Sequence, residues 1–233
     1  MPDCDPIRTR NEGLKTMVDP LREIWPPYGV TITCGPITLL PVRDDHFPEL
    51  TALVRAGIHP AEQMPFLVPW TVGTPDEVSR RFIQYHWSVR GAMTMTDWKF
   101  ETAIVVDGEI VGCQAFAATD FPTSRTGETG SWIGRGFQGR GVGTLARQAI
   151  CAFAFDSLGA RSVVSSAFTD NPASITVSTK VGYRADGTVE ELAADGRMTV
   201  RRLFTLSRED FVAPPYPVEV TGVRAFKTML GID

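Results

Sequence analysis

The sequence predicts an α+β domain built on a mixed, mostly antiparallel twisted sheet with flanking helices and one central βα loop. Three observations carry this expectation. Short β-branched or alternating segments are broken by strong turn signals, above all Asp107-Gly108 between Phe100–Val106 and Glu109–Phe116. A glycine-rich stretch, residues 134–144, stands between the strand-like Ser131-Trp132-Ile133 and an amphipathic helix that begins near Val142. A further apolar strand, 161–169, follows that helix directly, so one parallel βαβ step interrupts an otherwise antiparallel pattern.

Each element has a local cause. Residues 1–29 are polar and proline-rich, with only Leu14, Met17, Val18, Leu21, Ile24 and Trp25 hinting at a short helix; they are expected to form an N-terminal extension laid on the surface or on a partner. The domain proper is expected over 30–210. Val30–Cys34 and Ile37–Val42 form a hairpin around Gly35-Pro36. Asp44 or Asp45 caps a helix running to about Ala56, with Phe47, Leu50, Leu53 and Val54 on one face. Thr74-Pro75 starts a second helix, with Val78, Phe82, Ile83, Tyr85 and Trp87 along it. A third central strand, about Thr129 to Ile133, runs into the glycine loop. The helix over 142–157 puts Leu145, Ala149, Ile150 and Phe153 at core spacing. After strand 161–169, Pro172 opens a helix capped by Asp170 or Asn171. Met198–Leu206 closes the sheet. Residues 211–233 form a tail packed on the domain or on a partner subunit, with a short Val218-x-Val220 strand and a last helical turn.

Composition narrows the function classes. The 233 residues are 43% hydrophobic and 21% charged, with a net charge of −4, so the basic excess of a nucleic-acid-binding surface is missing. No apolar run approaches the ~18 residues of a membrane span, and the N-terminus lacks the basic region and apolar core of a signal peptide, which points to the cytosol. Cys4, Cys34, Cys113 and Cys151 lie far apart and read as free thiols, and His46, His59 and His86 show no metal-ligand spacing; no metal is expected.

The glycine loop carries the chemistry. Five glycines within residues 134–143, with Arg135 and Arg140 between them, bring bare backbone N–H groups to a helix start, the usual means of binding a phosphate. A Walker loop is excluded, because Gly139 is followed by Arg140 and Gly141 where lysine and a hydroxyl residue are required. Gly134-x-Gly136-x-x-Gly139 matches a dinucleotide fingerprint literally. The acidic residue that fingerprint needs about 20 positions on, at a strand end, falls instead inside the helix near Asp156. What remains is Gln138-x-x-Gly141-x-Gly143, followed in order by Asn171-x-x-Ser174 and by Gly182-Tyr183.

That ordered set resembles the GCN5-related N-acetyltransferase (GNAT) superfamily. Met64–Thr71, Asp120-Phe121-Pro122, Gly130-Ser131-Trp132 and Asp170–Ser174 resemble its RimJ/RimL-like, ribosomal-protein-acetyltransferase branch, in particular a mycobacterial member that binds succinyl-CoA. The resemblance covers about residues 30–210. It implies a GNAT fold and transfer of an acetyl or succinyl group from acetyl-CoA or succinyl-CoA to an amine acceptor by direct attack. It also implies that Trp132, Ile133, Gln138, Gly139, Arg140, Gly141, Val142, Gly143, Thr144, Asn171 and Ser174 hold the cofactor.

Acyl transfer to an amine needs a base, support for the developing oxyanion and an acid for the thiolate. Glu128, on the strand entering the loop, is the candidate base, or else an exposed strand-end carboxylate; Asp120 is the second candidate, for base or amine recognition. Ser174 is the candidate acid implied by the resemblance, ahead of Tyr183, whose position usually packs. Phe66 and Trp70, in the apolar Met64–Trp70 loop, form either a substrate-pocket wall or a packed plug. His86 is the histidine best placed on the second helix to reach an acceptor. A homodimer is expected from the few apolar residues of the N-terminal extension and from the edge strands. The alternative to an enzyme is a non-catalytic acyl-CoA-binding regulatory module; an antibiotic-modifying enzyme would differ only in acceptor.

Overall fold

The computed structural model describes residues 19–232. Its nine strands are β1 (Thr31–Cys34), β2 (Ile37–Pro41), β3 (Asp97–Val106), β4 (Glu109–Thr119), β5 (Thr126–Ile133), β6 (Ser162–Phe168), β7 (Arg184–Leu192), β8 (Met198–Ser207) and β9 (Val218–Thr221). They form one sheet in the order β7-β8-β6-β5-β4-β3-β2-β1-β9, antiparallel throughout except for β5 against β6. The helices are α1 (Leu21–Ile24), α2 (Phe47–Ala56), α3 (Pro75–Gly91), α4 (Phe121–Ser124), α5 (Val142–Ala152), α6 (Pro172–Val181) and α7 (Val223–Met229). No helix among the described residues is long and apolar enough to cross a membrane.

Alternation along the strands splits the core in two. On one face, β1–β4, β6 and β8 bury residues such as Ile32, Leu39, Phe100, Phe116 and Val163 against Ala146 and Ile150 of α5 and Phe153 just after it. On the other, Phe47, Leu50 and Val54 of α2 pack with Val78 and Phe82 of α3 on Ala103 and Cys113. The central hairpin turns where glycine chemistry dictates: Asp107 and Gly108 both have positive φ, +50° and +84°, as a tight primed turn requires. The thiols of Cys34, Cys113 and Cys151 are free and buried; Cys4 lies outside the described residues.

Several expectations shift. Asp44 and Asp45 do not cap α2; they lie in a 3-10 turn before it, and the helix begins at Phe47 with no side-chain cap. Asp44 is drawn away by charge, accepting from Arg90 and from the indole Nε1 of Trp87 on α3. α3 itself is capped reciprocally by Thr74 and Glu77. Met198–Leu206 is not the last strand of the sheet, because Arg184–Leu192 adds outside it. The helix after the glycine loop reaches Ser157, but its last turn, Phe153–Ser157, is π-wound. Of the short N-terminal helix, Leu14, Met17 and Val18 lie outside the described residues, and Leu21–Ile24 form one turn. In the tail, β9 pairs with β1, and Phe226, Leu230 and Ile232 are buried in the α5-side core.

Candidate active site

The loop from β5 to α5 is shaped by glycine backbone conformation. Gly139 and Gly141 have φ of +74° and +83°, and a Cβ at either would meet nothing within 4 Å. The turn therefore favours glycine there, while the space in front stays open. Gly141 is the N-cap of α5; no side chain caps the first turn, and no acidic residue lies in it. The first-turn N–H groups and the positive end of the helix face that open space. Arg135 and Arg140 stand exposed on the rim. Gln138 is exposed, but its carboxamide is held against the loop, donating to the carbonyls of Ile58 at 2.9 Å and Ile133 at 2.7 Å. Its side chain fixes the loop, leaving the first-turn amides of α5 without a side-chain cap.

β5 and β6 pair at only three positions, Thr126 with Ser162, Gly127 with Val163 and Glu128 with Val164. Beyond these, each strand keeps only its outer partner: β5 stays on β4 as far as Ile133, and β6 stays on β8 as far as Phe168. A gap therefore opens between two parallel strands. At about 3.3 Å per residue it runs roughly 17 Å from Glu128, at its closed end, to Ile133 beside the glycine loop. Asn171 and Ser174 follow β6 at the start of α6, where the Asn171 Oδ1 accepts from the Ser174 N–H at 3.1 Å and caps the helix.

Glu128 is exposed on the face opposite α5, in one cross-strand row with Lys99, Ala117 and Val164. A groove of about 410 Å³ lies over this row, lined by Val89 of α3 and Met93 just after it, together with Asp97, Lys99, Ala117 and Glu128. The small Ala117 leaves a trough between Lys99 and Glu128. Asp120 does not join them. It sits three residues past Ala117, about 10 Å farther along β4, in a left-handed conformation that starts α4.

Aromatic rings cover the same face at the glycine-loop end. Phe66 lies 5.2 Å from Trp70, which lies 6.3 Å from Trp132 and 6.0 Å from Phe82 between ring centroids. The ring of Trp132 is thus committed to this cluster, away from α5, and only its backbone faces the gap. Phe66 and Trp70 are half-buried, packed on one side and open on the other. The loop carrying them is tied down by the Ala194 N–H, which donates to the Leu67 carbonyl.

His86 is corrected by the structure. It is only 3% exposed, with its ring 4.5 Å from that of Phe82 and 5.9 Å from that of Phe47. Burial, then the charges of Arg90 and Lys99, pull its pKa from 6.5 down to about 3, so it is a neutral core residue. The unfolded chain takes up this proton below about pH 6.5 whereas the folded chain holds it off until about pH 3, so His86 drains stability as pH falls through that window. Urea denaturation at pH 7.0 and 4.5 should show a smaller acid loss for His86→Phe than for wild type; equal losses would remove this account.

Tyr183 is also a core group. Its hydroxyl bonds Thr129 Oγ1 at 2.8 Å and contacts Cys151 Sγ at 3.4 Å, and burial pushes its pKa up. Sequence reasoning overlooked Arg147 of α5, buried beneath the β5–β6 gap and bonded to Ser131, Ser165 and Gln114. The available signal was an arginine with no acidic residue from 143 to 151 to pair with on its own helix.

A glycine-shaped loop at the mouth of two parting parallel strands, beside an open groove, belongs here to an acyltransferase. The acetyltransferase (GNAT) domain model matches residues 37–184, and the chain belongs to the GNAT family. Among solved structures, RimJ of Mycobacterium smegmatis in complex with a CoA disulfide is similar with a TM-score of 0.67 at 19% identity, covering 88% of this chain and 95% of that one. RimL, a ribosomal L7/L12 α-N-protein acetyltransferase in complex with coenzyme A, has a TM-score of 0.58 at 20% identity, covering 73% and 93%. The microcin C7 self-immunity acetyltransferase MccE, in complex with acetyl-CoA and AMP, has a TM-score of 0.56 at 20% identity, covering 73% and 92%. These neighbours share the fold.

Proposed function

We propose that this chain is an N-acyltransferase that moves an acetyl or succinyl group from its CoA thioester to a primary amine by direct attack. The observation that carries this is the β5–β6 gap, with uncapped amides at its wide end and Glu128 at its closed end. The pyrophosphate is held by the amides of residues 139–144 with Arg140 at the rim, and Asn171 stands beside the thioester arm. The amine reaches the gap from the groove over Ala117. Glu128 takes the proton from the ammonium, directly or through water. The amine nitrogen then bonds the thioester carbon, the C–S bond breaks, and the thiolate leaves toward the Ser174 hydroxyl and is protonated to the free thiol.

Acetyl-CoA as donor is supported by MccE, which binds it; succinyl-CoA is supported by the sequence resemblance at Met64–Thr71 and Asp170–Ser174. Phe66 and Trp70 form the acceptor-side wall. His86 is left out of the acceptor site. A homodimer is supported by the free edge of β7 and by Leu192 and Met198, each 66% exposed on the β7–β8 hairpin. The proposed reaction needs no metal, and a cytosolic location would supply both substrates.

The test is thermal shift and native mass spectrometry with acetyl-, propionyl-, malonyl- and succinyl-CoA, followed by thiol release in the presence of an amine panel. One acyl-CoA should raise the melting midpoint by several degrees and be consumed only when amine is present. A flat response to all four overturns the proposal, and binding without turnover favours the regulatory module.

A further inference from the structure

Where the backbone ladder between β5 and β6 stops, side chains take over the bridging. Thr129 Oγ1 donates to the Val164 carbonyl at 3.4 Å, and Ser165 Oγ donates to the Thr129 carbonyl at 3.3 Å. Farther along, the span is too wide for a hydroxyl and a guanidinium fills it. Arg147 donates from Nη1 to Ser165 Oγ at 3.0 Å and from Nη2 to Ser131 Oγ at 2.9 Å, one serine on each parting strand. Its Nε faces Gln114 Oε1 at 3.5 Å, and the Gln114 carboxamide in turn donates to the carbonyls of Ala115 and Gly130. The bridging groups lengthen as the strands diverge.

Arg147 is 3% exposed and pairs with no carboxylate among the described residues. Keeping a lone cation out of water is costly, and an apolar side chain of similar volume would serve stability as well or better. Of the neighbouring buried positions of α5, Ala146, Ala149 and Ile150 are apolar, and the one polar neighbour, Gln148, is uncharged and bonded to the carbonyls of Val212 and Ala213. Ser131 accepts from Arg147 and, among the described residues, donates to no protein acceptor, so its proton is free to point into the gap. A hydroxyl polarised by a guanidinium is a stronger donor than an isolated one.

We infer that Arg147 is a positioning residue for acyl transfer: it fixes the width of the β5–β6 gap and primes the Ser131 hydroxyl to donate toward the thioester lying there. The kinetic part rests on the acyltransferase proposal above; the brace itself does not. Arg147 acts through Ser131 and the two strands.

The experiment uses the full chain and its variants Arg147→Met, Arg147→Lys and Ser131→Ala, with coenzyme A and the consumed acyl-CoA as probes. Arg147→Met should keep or raise the melting midpoint, yet bind coenzyme A about tenfold more weakly and lose at least tenfold in kcat. Ser131→Ala should bind coenzyme A within about twofold of wild type while kcat falls about tenfold, and Arg147→Lys should fall between wild type and Arg147→Met. In ligand-free protein, amide exchange over residues 129–131 and 165–167 should change at least tenfold in Arg147→Met, while α2 is unaffected. Unchanged exchange in those segments overturns the brace whether or not wild type turns over, and wild-type kcat in Ser131→Ala overturns the priming. A wild type that binds coenzyme A without acylating any amine defeats the acyltransferase reading alone, with exchange and affinity still deciding the brace. Activity that falls only in step with the melting midpoint makes Arg147 a structural residue and overturns the inference.

Discussion

Gly141→Asp is expected to lower affinity for coenzyme A at least 100-fold while leaving the fold intact. Gly141 has a φ of +83°, a region that aspartate and asparagine tolerate better than other L residues, and an added Cβ meets open space. The new carboxylate sits at the positive end of α5, where it interacts favourably with the first-turn amides, so the melting midpoint should hold within a few degrees. Those same amides are the ones a pyrophosphate would use. An anion fixed among them competes with and repels the ligand, and a 100-fold loss corresponds to about 2.8 kcal/mol. Gly143→Ala is the control. Its Cβ would make only ordinary contacts, at 3.7 Å to Ile133 and 3.8 Å to Val177, so affinity should stay within a few-fold. Calorimetric titration of coenzyme A into both variants decides the matter. Near-wild-type binding by Gly141→Asp would move the phosphate site off this loop.

What the chain revealed before its structure was known follows from where the decisive interactions lie. The hairpins at Gly35-Pro36 and Asp107-Gly108, the Thr74 cap and the Asn171 cap depend on neighbours within a few residues, so residue type alone announces them. β7 was not legible. Most of Arg184–Leu192 is exposed and its register slips between Ala185 and Thr188, so no alternation marks it. The Asp44 error has a similar origin, since Arg90 and Trp87, more than forty residues away, claim the carboxylate. At the site, the glycine loop could be read because its conformation is written in glycines. The gap could not: it arises because β5 and β6 keep different outer partners, which is a property of the whole sheet. Arg147 and His86 show the same limit, because a charged residue and a histidine acquire their burial only from elements that fold over them.

Glu128→Gln is expected to reduce kcat about 100- to 1,000-fold with little change in the KM for acyl-CoA, the range that loss of a positioned general base produces. Glu128 faces the groove, away from the face on which α5 packs under the β5–β6 gap, so its removal should leave the proposed cofactor binding untouched. The amide is isosteric and keeps the groove's shape, which confines the change to proton transfer. Raising the pH supplies a bypass: an alkyl amine with a pKa near 10.4 gains about tenfold in free base for each unit below that value. The deficit of Glu128→Gln should therefore narrow between pH 7 and 9.5, whereas a residue that only shapes the groove would give parallel profiles. Asp120→Asn supplies the contrast, since asparagine also tolerates the left-handed backbone there and the side chain lies about 10 Å along β4 from the row containing Glu128. Its kcat should stay within about threefold of wild type. If the losses fell on Asp120→Asn instead, the amine would have to approach from the α4 end of the sheet, where β5 and β6 are still fully paired and leave no gap for the thioester.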